Sequence, residues 1–144
     1  MGRNKGPRIG QSPGNPEIRA QTMPDWNSLP IAWQFQHLDT AGPFGWHTCN
    51  QDTLLKKIWA SIRSYETMLW RDIPKKRLHG IAVSLLSKEA RKRLEELQQI
   101  DIPELHCLRI EGKPRIWGIR DRLYFKVLWW DPEHKVYPVN FTDN

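Results

Sequence analysis

The chain has 144 residues, a formal net charge of +6 and eight tryptophans. This length fits one domain, and it excludes a large barrel or a two-domain dinucleotide enzyme. The basic charge favours acidic partners, and a tryptophan content this high indicates a core or an interface rich in large aromatic side chains. No apolar run approaches the length of a membrane span, so we expect no membrane partner.

Residues 1–28 differ in composition from the rest of the chain. Four glycines and four prolines lie within residues 1–24, and the apolar residues there follow no period. Such a segment buries too little apolar surface to offset the entropy lost on ordering. We predict a flexible basic Gly/Pro-rich tail over 1–28 and a single domain over 29–144. The tail is either a solvated extension, which its composition favours, or an arm that touches nucleic acid.

The first predicted strand and helix lie in the first half of the chain. Ile31, Trp33 and Phe35 alternate with polar or small neighbours, which is typical of a half-buried strand. Asn50 is a suitable N-cap for a helix that ends at 73–74, where a proline disfavours helical geometry. The helix has one apolar stripe, formed by Leu55, Ile58, Ile62, Tyr65 and Leu69.

The second half begins with a short strand within 79–86 and a helix over 88–98 that Ser87 caps. Four apolar runs then follow at 105–111, 115–120, 123–130 and 135–139, separated by turns. Short loops between consecutive strands require antiparallel neighbours. The element order therefore predicts an α+β domain: an antiparallel sheet with a leading strand, two helices on one face and a C-terminal β-meander.

The chain lacks the usual signatures of cofactor and metal chemistry. It has no Walker loop, dinucleotide fingerprint or nucleophile elbow. His47 with Cys49, and His106 with Cys107, fit no standard zinc spacing, and adjacent strand residues point to opposite faces. We predict no metal and no cofactor. Two cysteines are too few for a disulfide scaffold, and the N-terminus lacks an apolar signal segment, so we expect a cytoplasmic protein with reduced thiols.

The predicted meander combines cations with aromatic residues, a combination that binds phosphates and stacks on unpaired bases. Regular pleating places Leu123, Phe125, Val127 and Trp129 on a core face. It places Tyr124, Lys126, Leu128 and Trp130 on a second, partly open face. The alternative is that these cations only protect an edge strand from aggregation.

Three stretches, 108–119, 123–128 and 134–137, resemble the C-terminal half of the RelE/ParE-type toxins of bacterial toxin–antitoxin modules. In that family a Leu-x-Gly turn precedes an Arg-led apolar strand, and a His and a Tyr follow the last core strand. Arg115 leads the strand here, and His134 and Tyr137 take the late positions. The predicted element order over 29–138 is also similar. The segment Trp129-Trp130-Asp131-Pro132 is not part of the family pattern.

The resemblance implies a RelE-like fold and a toxin that cuts messenger RNA on the ribosome as a metal-independent endoribonuclease. Its partners would be an antitoxin protein and the ribosome-bound mRNA. Arg115 would stabilise transition-state charge, and His134 and Tyr137 would act as acid–base groups. Phosphates would be bound by Lys113, Arg120 and Lys126, and Arg122, Tyr124 and Trp130 complete the predicted nucleic-acid-binding set.

Two other functions stay open on the sequence. One is a non-catalytic module of the same fold that binds nucleic acid or an acidic protein through its basic and aromatic residues. The other is a ParE-like gyrase inhibitor, which acts on a protein target. For each candidate residue a structural role is the alternative, and Arg115 could pair with Glu111 across its hairpin.

Overall fold

The computed structural model describes residues 24–138 of the chain. Within this range the strands are β1 (Ala32–Gln34), β2 (Leu78–Ala82), β3 (Glu104–Arg109), β4 (Arg115–Asp121) and β5 (Tyr124–Asp131). Helix α1 is continuous over Gln51–Thr53, Leu54–Ile58 and Trp59–Glu66, and α2 covers Lys88–Glu96. Short 3-10 turns occur at Trp26–Ser28, Trp46–Thr48, Trp70–Asp72 and Val83–Leu85.

The five strands form one mixed sheet in the order β1-β5-β4-β3-β2. Neighbours are antiparallel from β2 through β5, as the short loops require for β3–β4 and β4–β5, but β1 runs parallel to β5. The α+β class is therefore confirmed, whereas the prediction of an all-antiparallel sheet is wrong at β1. The connection from β1 to β5 spans most of the domain, so no short loop dictates the direction of β1.

The two helices cover opposite faces of the sheet, so the prediction of both helices on one face is wrong. One hydrophobic cluster joins the buried α1 residues Ile58, Ile62 and Tyr65 to the sheet through Leu108 and Ile116. A second cluster joins α2 to the sheet, and it contains Ala90, Leu94, Cys107, Trp117 and Trp129. We name these sides of the sheet the α1 face and the α2 face. Because adjacent strand residues such as Leu108 and Cys107 are both buried, both faces need a cover.

Helix α1 begins as predicted but differs in its first turns. Asn50 caps it through a 2.7 Å hydrogen bond from the Thr53 amide to the side-chain oxygen. The segment Leu54–Ile58 is π-helical, and this wider turn shifts the buried stripe by one residue. Leu54 therefore packs against the core, while Leu55 is 52% exposed. The helix ends at Glu66, before the predicted stop at 73–74.

A β-bulge changes the predicted pleating of β5. Trp117 pairs with Trp129, but Gly118 pairs with Val127, so Leu128 is an extra residue. Leu128 and Trp129 consequently both lie on the α2 face, and Trp130 lies on the α1 face. Trp130 is only 5% exposed, and its ring stacks on Trp46 at a centroid distance of 5.7 Å. The prediction of Trp130 on an open, base-stacking face is therefore wrong.

Both ends of the predicted domain also change. Trp26–Ser28 form a capped 3-10 turn, and the side-chain oxygen of Asn27 accepts a 2.7 Å hydrogen bond from Arg120. These residues therefore belong with the domain rather than with the predicted tail, of which 1–23 lie outside the described residues. At the other end, residues 135–138 form no strand. Position 139 of that predicted strand lies outside the described range.

Candidate functional site

A cleft of about 580 Å³ opens at one end of the sheet on the α2 face. Four of the residues that the sequence predicted as functional line it together: Lys113, Arg115, His134 and Tyr137. The remaining lining residues are Lys76, Arg77, His79, Ile81, Cys107, Arg109 and Gly112. Side chains more than 20 residues apart in the chain are thus gathered around one opening.

The sheet register explains how these side chains meet. Cys107 and Arg109 lie two residues apart on β3, so they point to the same face. His79 of β2 pairs with Cys107, and Arg115 of β4 pairs with Arg109, which places all four on the α2 face. β2 and β4 are two strand spacings apart, roughly 10 Å. The segment after β5 adds His134 and Tyr137 to the lining of the cleft.

The lining of the cleft is strongly cationic. No aspartate or glutamate lines this cleft. Five of its lining residues carry a positive charge: Lys76, Arg77, Arg109, Lys113 and Arg115. Glu133 lies near the opening, where its carboxylate pairs with the Lys113 ammonium at 3.1 Å between two exposed side chains. The electrostatic potential of such a groove favours an anionic ligand.

Arg115 is held in place by its own turn. Its Nη1 atom donates hydrogen bonds to the backbone carbonyls of Gly112 and Lys113, the latter at 2.9 Å. Burial lowers the pKa of Arg115, and the neighbouring charge of Arg109 lowers it further. An anion bound in the cleft would relieve both effects, since it favours the charged guanidinium. Arg115 thus bonds to backbone carbonyls of its turn, and not to Glu111 as the alternative from the sequence had it.

His134 lines the same cleft as Arg115 and comes from the segment after β5. Its side chain is 7% exposed, and its backbone has a φ of +58°, in the left-handed region. Burial lowers the pKa of His134 below its usual 6.5, and the positive charge of Arg115 lowers it further. A histidine shifted in this direction is neutral at physiological pH and can accept a proton.

The sequence did not single out four other residues of the cleft: Lys76, Arg77, His79 and Arg109. Arg77 is anchored, because its Nε donates to the Tyr65 hydroxyl at 3.0 Å, and that hydroxyl donates to the Arg109 carbonyl at 2.7 Å. The basic run 75–77 was a visible signal. Its place in the cleft follows only from the pairing of β2 with β3.

Of the other predicted nucleic-acid-binding residues, Trp130 is buried in the core. The remaining four lie toward the far end of the β4–β5 hairpin, up to about 20 Å along the strand from Arg115: Arg120, Arg122, Tyr124 and Lys126. Arg120 stacks on the Trp70 ring at 3.9 Å and lines a second, shallower pocket of about 480 Å³ with Arg122. The side chains of Arg122 and Lys126 both pair with Asp121, at 3.1 and 3.2 Å. Tyr124 lies beside them, with the Arg122 guanidinium over its ring. The predicted set is thus divided between the two ends of the hairpin, with Trp130 in the core.

Neither cysteine among the described residues is placed for thiolate chemistry. Burial raises the pKa of Cys107, at the floor of the cleft, to about 12, and burial also raises the pKa of Cys49. His106 and Cys107 lie on opposite faces of the sheet. Within residues 24–138, no group of three or more His, Cys, Asp or Glu side chains could hold a metal ion.

Comparisons with protein-family models, with curated proteins and with solved structures find no match to this chain. In the part of the chain that the structure describes, no helix is long and apolar enough to cross a membrane. A functional interpretation therefore depends on the chemistry of the cleft itself.

Proposed function

We propose that this chain is a RelE-like, metal-independent endoribonuclease, the toxin component of a toxin–antitoxin module that cuts messenger RNA on the ribosome. One observation carries the proposal: Arg115, His134 and Tyr137, to which the family resemblance assigns catalysis, line one cationic cleft. The α+β class agrees with the class that the resemblance implies, although β2 lies between the two helices and β1 is parallel to β5.

The reaction is the transfer of a phosphodiester within RNA. His134 accepts the proton of a ribose 2′-hydroxyl, whose oxygen then attacks the adjacent phosphorus. The bond from phosphorus to the 5′-oxygen breaks, and the hydroxyl of Tyr137 gives its proton to that leaving oxygen. The products are a 2′,3′-cyclic phosphate and a free 5′-hydroxyl, so no water, metal or cofactor is consumed.

Charge stabilisation falls to Arg115. Negative charge builds on the non-bridging oxygens in the transition state, and a guanidinium fixed by its own turn meets it without reorganising. The flanking cations Lys76, Arg109 and Lys113 bind neighbouring phosphates of the same strand. DNA lacks the attacking 2′-hydroxyl, so the proposed substrate is RNA.

A second candidate function is a non-catalytic RNA-binding module of the same fold. It is favoured by the engagement of Arg115 Nη1 with the backbone of its own turn and by the pairing of Lys113 with Glu133. In that case both side chains stabilise the 112–114 turn, and the cleft holds RNA without cutting it.

The test compares cleavage by wild-type protein with that by Arg115→Gln and His134→Asn. The substrates are a labelled oligoribonucleotide and a translated mRNA on ribosomes. Asparagine suits the left-handed backbone of residue 134, so that variant should fold. We expect each substitution to reduce cleavage by ~10²–10⁴-fold. Arg63→Gln and His47→Asn, exposed and outside the cleft, serve as matched controls with wild-type rates.

Cyclic-phosphate and 5′-hydroxyl ends would support the proposed reaction. RNA binding without cleavage, with and without ribosomes, would reject catalysis and favour the binding module. Inhibition of gyrase supercoiling by the intact protein would instead favour the ParE-like alternative. Expression of the active protein should arrest growth, and Arg115→Gln should relieve the arrest.

A further inference from the structure

Asp131 is a buried carboxylate at the end of β5, next to the cleft but not part of its lining. It belongs to the segment Trp129-Trp130-Asp131-Pro132, which the proposed reaction does not use. Its residue surface is only 1% exposed. A carboxylate removed from water must have its oxygens satisfied within the protein, so its partners show what it does.

The partners of Asp131 are donors that carry no formal charge. One carboxylate oxygen accepts from the backbone N–H of Lys135 at 2.8 Å. The other accepts from the backbone N–H of Val136 at 2.9 Å and from the indole Nε1 of Trp117 at 3.1 Å. Two successive amides of the segment after β5 are therefore fixed by a single side chain.

This arrangement controls where the cleft residues of that segment lie. The two bonded amides stand between His134 and Tyr137 in the chain. At the far side, the Val136 carbonyl accepts a 2.8 Å bond from the Ser87 amide at the start of α2. Residues 132–137 form a loop where the strand was predicted to begin at residue 135, and Asp131 binds two amides that a strand ladder would use.

The protein contains a second pair of this kind, whose carboxylate binds amides of the loop after β1 instead. Trp129, which pairs with Trp117 across β4 and β5, donates its indole nitrogen to Asp39 at 2.9 Å. Asp39 also accepts from the amides of Ala41 and Gly42 and from Arg93. The two tryptophans lie in the same cluster, and each donates to a buried carboxylate. Only the carboxylate bound by Trp117, that of Asp131, also binds the Lys135 and Val136 amides.

We propose that Asp131 is a positioning residue, whose carboxylate holds the loop 132–137 so that His134 and Tyr137 face Arg115 across the cleft. The inference rests on the proposed function for the role of those two side chains. Trp117 contributes to this role, because its indole N–H donates to the Asp131 carboxylate. Asp131 itself does not touch the substrate.

The test uses Asp131→Asn, Trp117→Phe and the matched control Trp129→Phe. Asparagine keeps the shape of Asp131 but turns one acceptor into a donor that faces other donors. Trp117→Phe keeps both loop amides bonded but removes the support of the carboxylate. Trp129→Phe removes the equivalent indole bond of the other pair, so it measures the general cost of that change.

Two readouts separate positioning from stability. The first is hydrogen exchange of the Lys135 and Val136 amides, which needs no RNA. The second is the division of the effect between kcat and KM for cleavage of an oligoribonucleotide. For Asp131→Asn we expect about tenfold faster exchange and a kcat loss of up to ~10²-fold, as misplaced catalytic groups give. KM should change little, because the cations that bind RNA are untouched, and Trp117→Phe should show a smaller loss of the same kind.

The positioning role is overturned if Asp131→Asn keeps wild-type amide protection or wild-type kcat. It is also overturned if Trp129→Phe loses as much kcat as Trp117→Phe, because the effect would then be general loosening. If Asp131→Asn fails to fold, the comparison of the two tryptophan variants decides the question alone. The two proposals can also fail separately. If amide exchange is faster in Asp131→Asn but the wild-type protein cleaves no RNA, Asp131 does position the loop and the proposed function is rejected.

Discussion

Three of the eight tryptophans donate a hydrogen bond from the core, and two of them, Trp117 and Trp129, donate it to a carboxylate. Both are fully buried, and each indole N–H reaches a buried aspartate. This pairing satisfies a donor and an acceptor that would each be costly to bury alone. At these two positions, tryptophan therefore provides polar anchoring within the core as well as apolar burial.

The residue chemistry of the cleft was partly visible in the sequence. Lys113, Arg115, His134 and Tyr137 were predicted from a resemblance to a family pattern, and the structure brings these four residues to one cleft. Trp130 was placed wrongly, because the bulge at Leu128 breaks a strict alternation and no sequence signal marks it. His79 and its neighbours were missed because strand pairing, not chain proximity, brings them to the site.

The pH dependence of RNA cleavage should report on His134. Its neutral form is the proposed base, and burial together with Arg115 lowers its pKa below 6.5, although Asp131 opposes this shift. Cleavage should therefore be constant near neutral pH and fall as the pH drops through that lowered pKa. Arg115→Gln removes a positive charge, so the acid limb of kcat/KM should move to higher pH. We would measure it in parallel with His47→Asn, and an unmoved limb in Arg115→Gln would reject His134 as the base.

At the scale of elements, sequence periodicity identified helices and strands better than it identified their faces. The apolar stripe of α1 and the Ser87 cap of α2 were predicted correctly in kind, and the Ser87 hydroxyl accepts from the Ala90 amide at 3.1 Å. The π-helical turn Leu54–Ile58 shifts the first position of the stripe, because a turn with one extra residue rotates the helix face. Such a turn is set by packing, which a single sequence does not reveal.

The stability of two alanine variants tests the π-helical turn. Leu54→Ala removes a side chain that packs against the core, and we expect a loss of about 2 kcal/mol in the free energy of unfolding. Leu55→Ala removes a side chain that is 52% exposed, and the loss should stay within about 0.5 kcal/mol. Urea denaturation of the two variants measures the difference. The reverse order would show a regular α-helix with the predicted stripe.

Helix α2 is connected to the loop after β1 by a buried ion pair. The Arg93 guanidinium donates to both carboxylate oxygens of Asp39, at 2.8 Å each, and the Asp39 side chain is 1% exposed. Burial alone would raise the pKa of Asp39. Hydrogen bonds from Arg93, the Ala41 amide and Trp129 hold it well below its usual range instead.

Arg93→Met should be strongly destabilising, because it leaves the Asp39 charge buried without its cation. We expect a loss of about 3 kcal/mol at neutral pH, against a negligible loss for Lys92→Met on the exposed side of α2. The stability that Asp39 contributes is present above its unfolded-state pKa and is lost as the pH falls through the lowered folded-state pKa. The difference between the two variants should therefore shrink in acid. Chemical denaturation at several pH values measures it, and a constant difference would contradict the role of the pair.

At the scale of the whole molecule, the sequence predicted the α+β class but not the covering of both sheet faces. Short loops dictated the antiparallel pairs β3–β4 and β4–β5, whereas the pairing of β2 with β3 and the parallel pairing of β1 with β5 depend on long connections that local rules do not constrain. The charge distribution likewise follows from the sheet topology, which places two groups of cations at opposite ends of the β4–β5 hairpin. One group lines the cleft beside His134, and the other is largely paired with Asp121 or stacked on Trp70.

The salt dependence of RNA affinity should identify which group of cations binds the strand. The double variant Lys76→Gln/Arg109→Gln removes two cations of the cleft. Each phosphate contact to single-stranded RNA contributes about 0.7 to the magnitude of the slope of log affinity against log salt concentration. The slope should therefore become shallower by about 1.4 in the double variant. Binding of a 2′-O-methylated oligonucleotide, which cannot be cleaved at the attacking position, measures it over a range of salt concentrations. Lys57→Gln/Arg63→Gln removes the same charge from exposed positions of α1 and should leave the slope unchanged. If the slope becomes shallower only in Arg122→Gln/Lys126→Gln, RNA binds at the far end of the hairpin and not in the cleft.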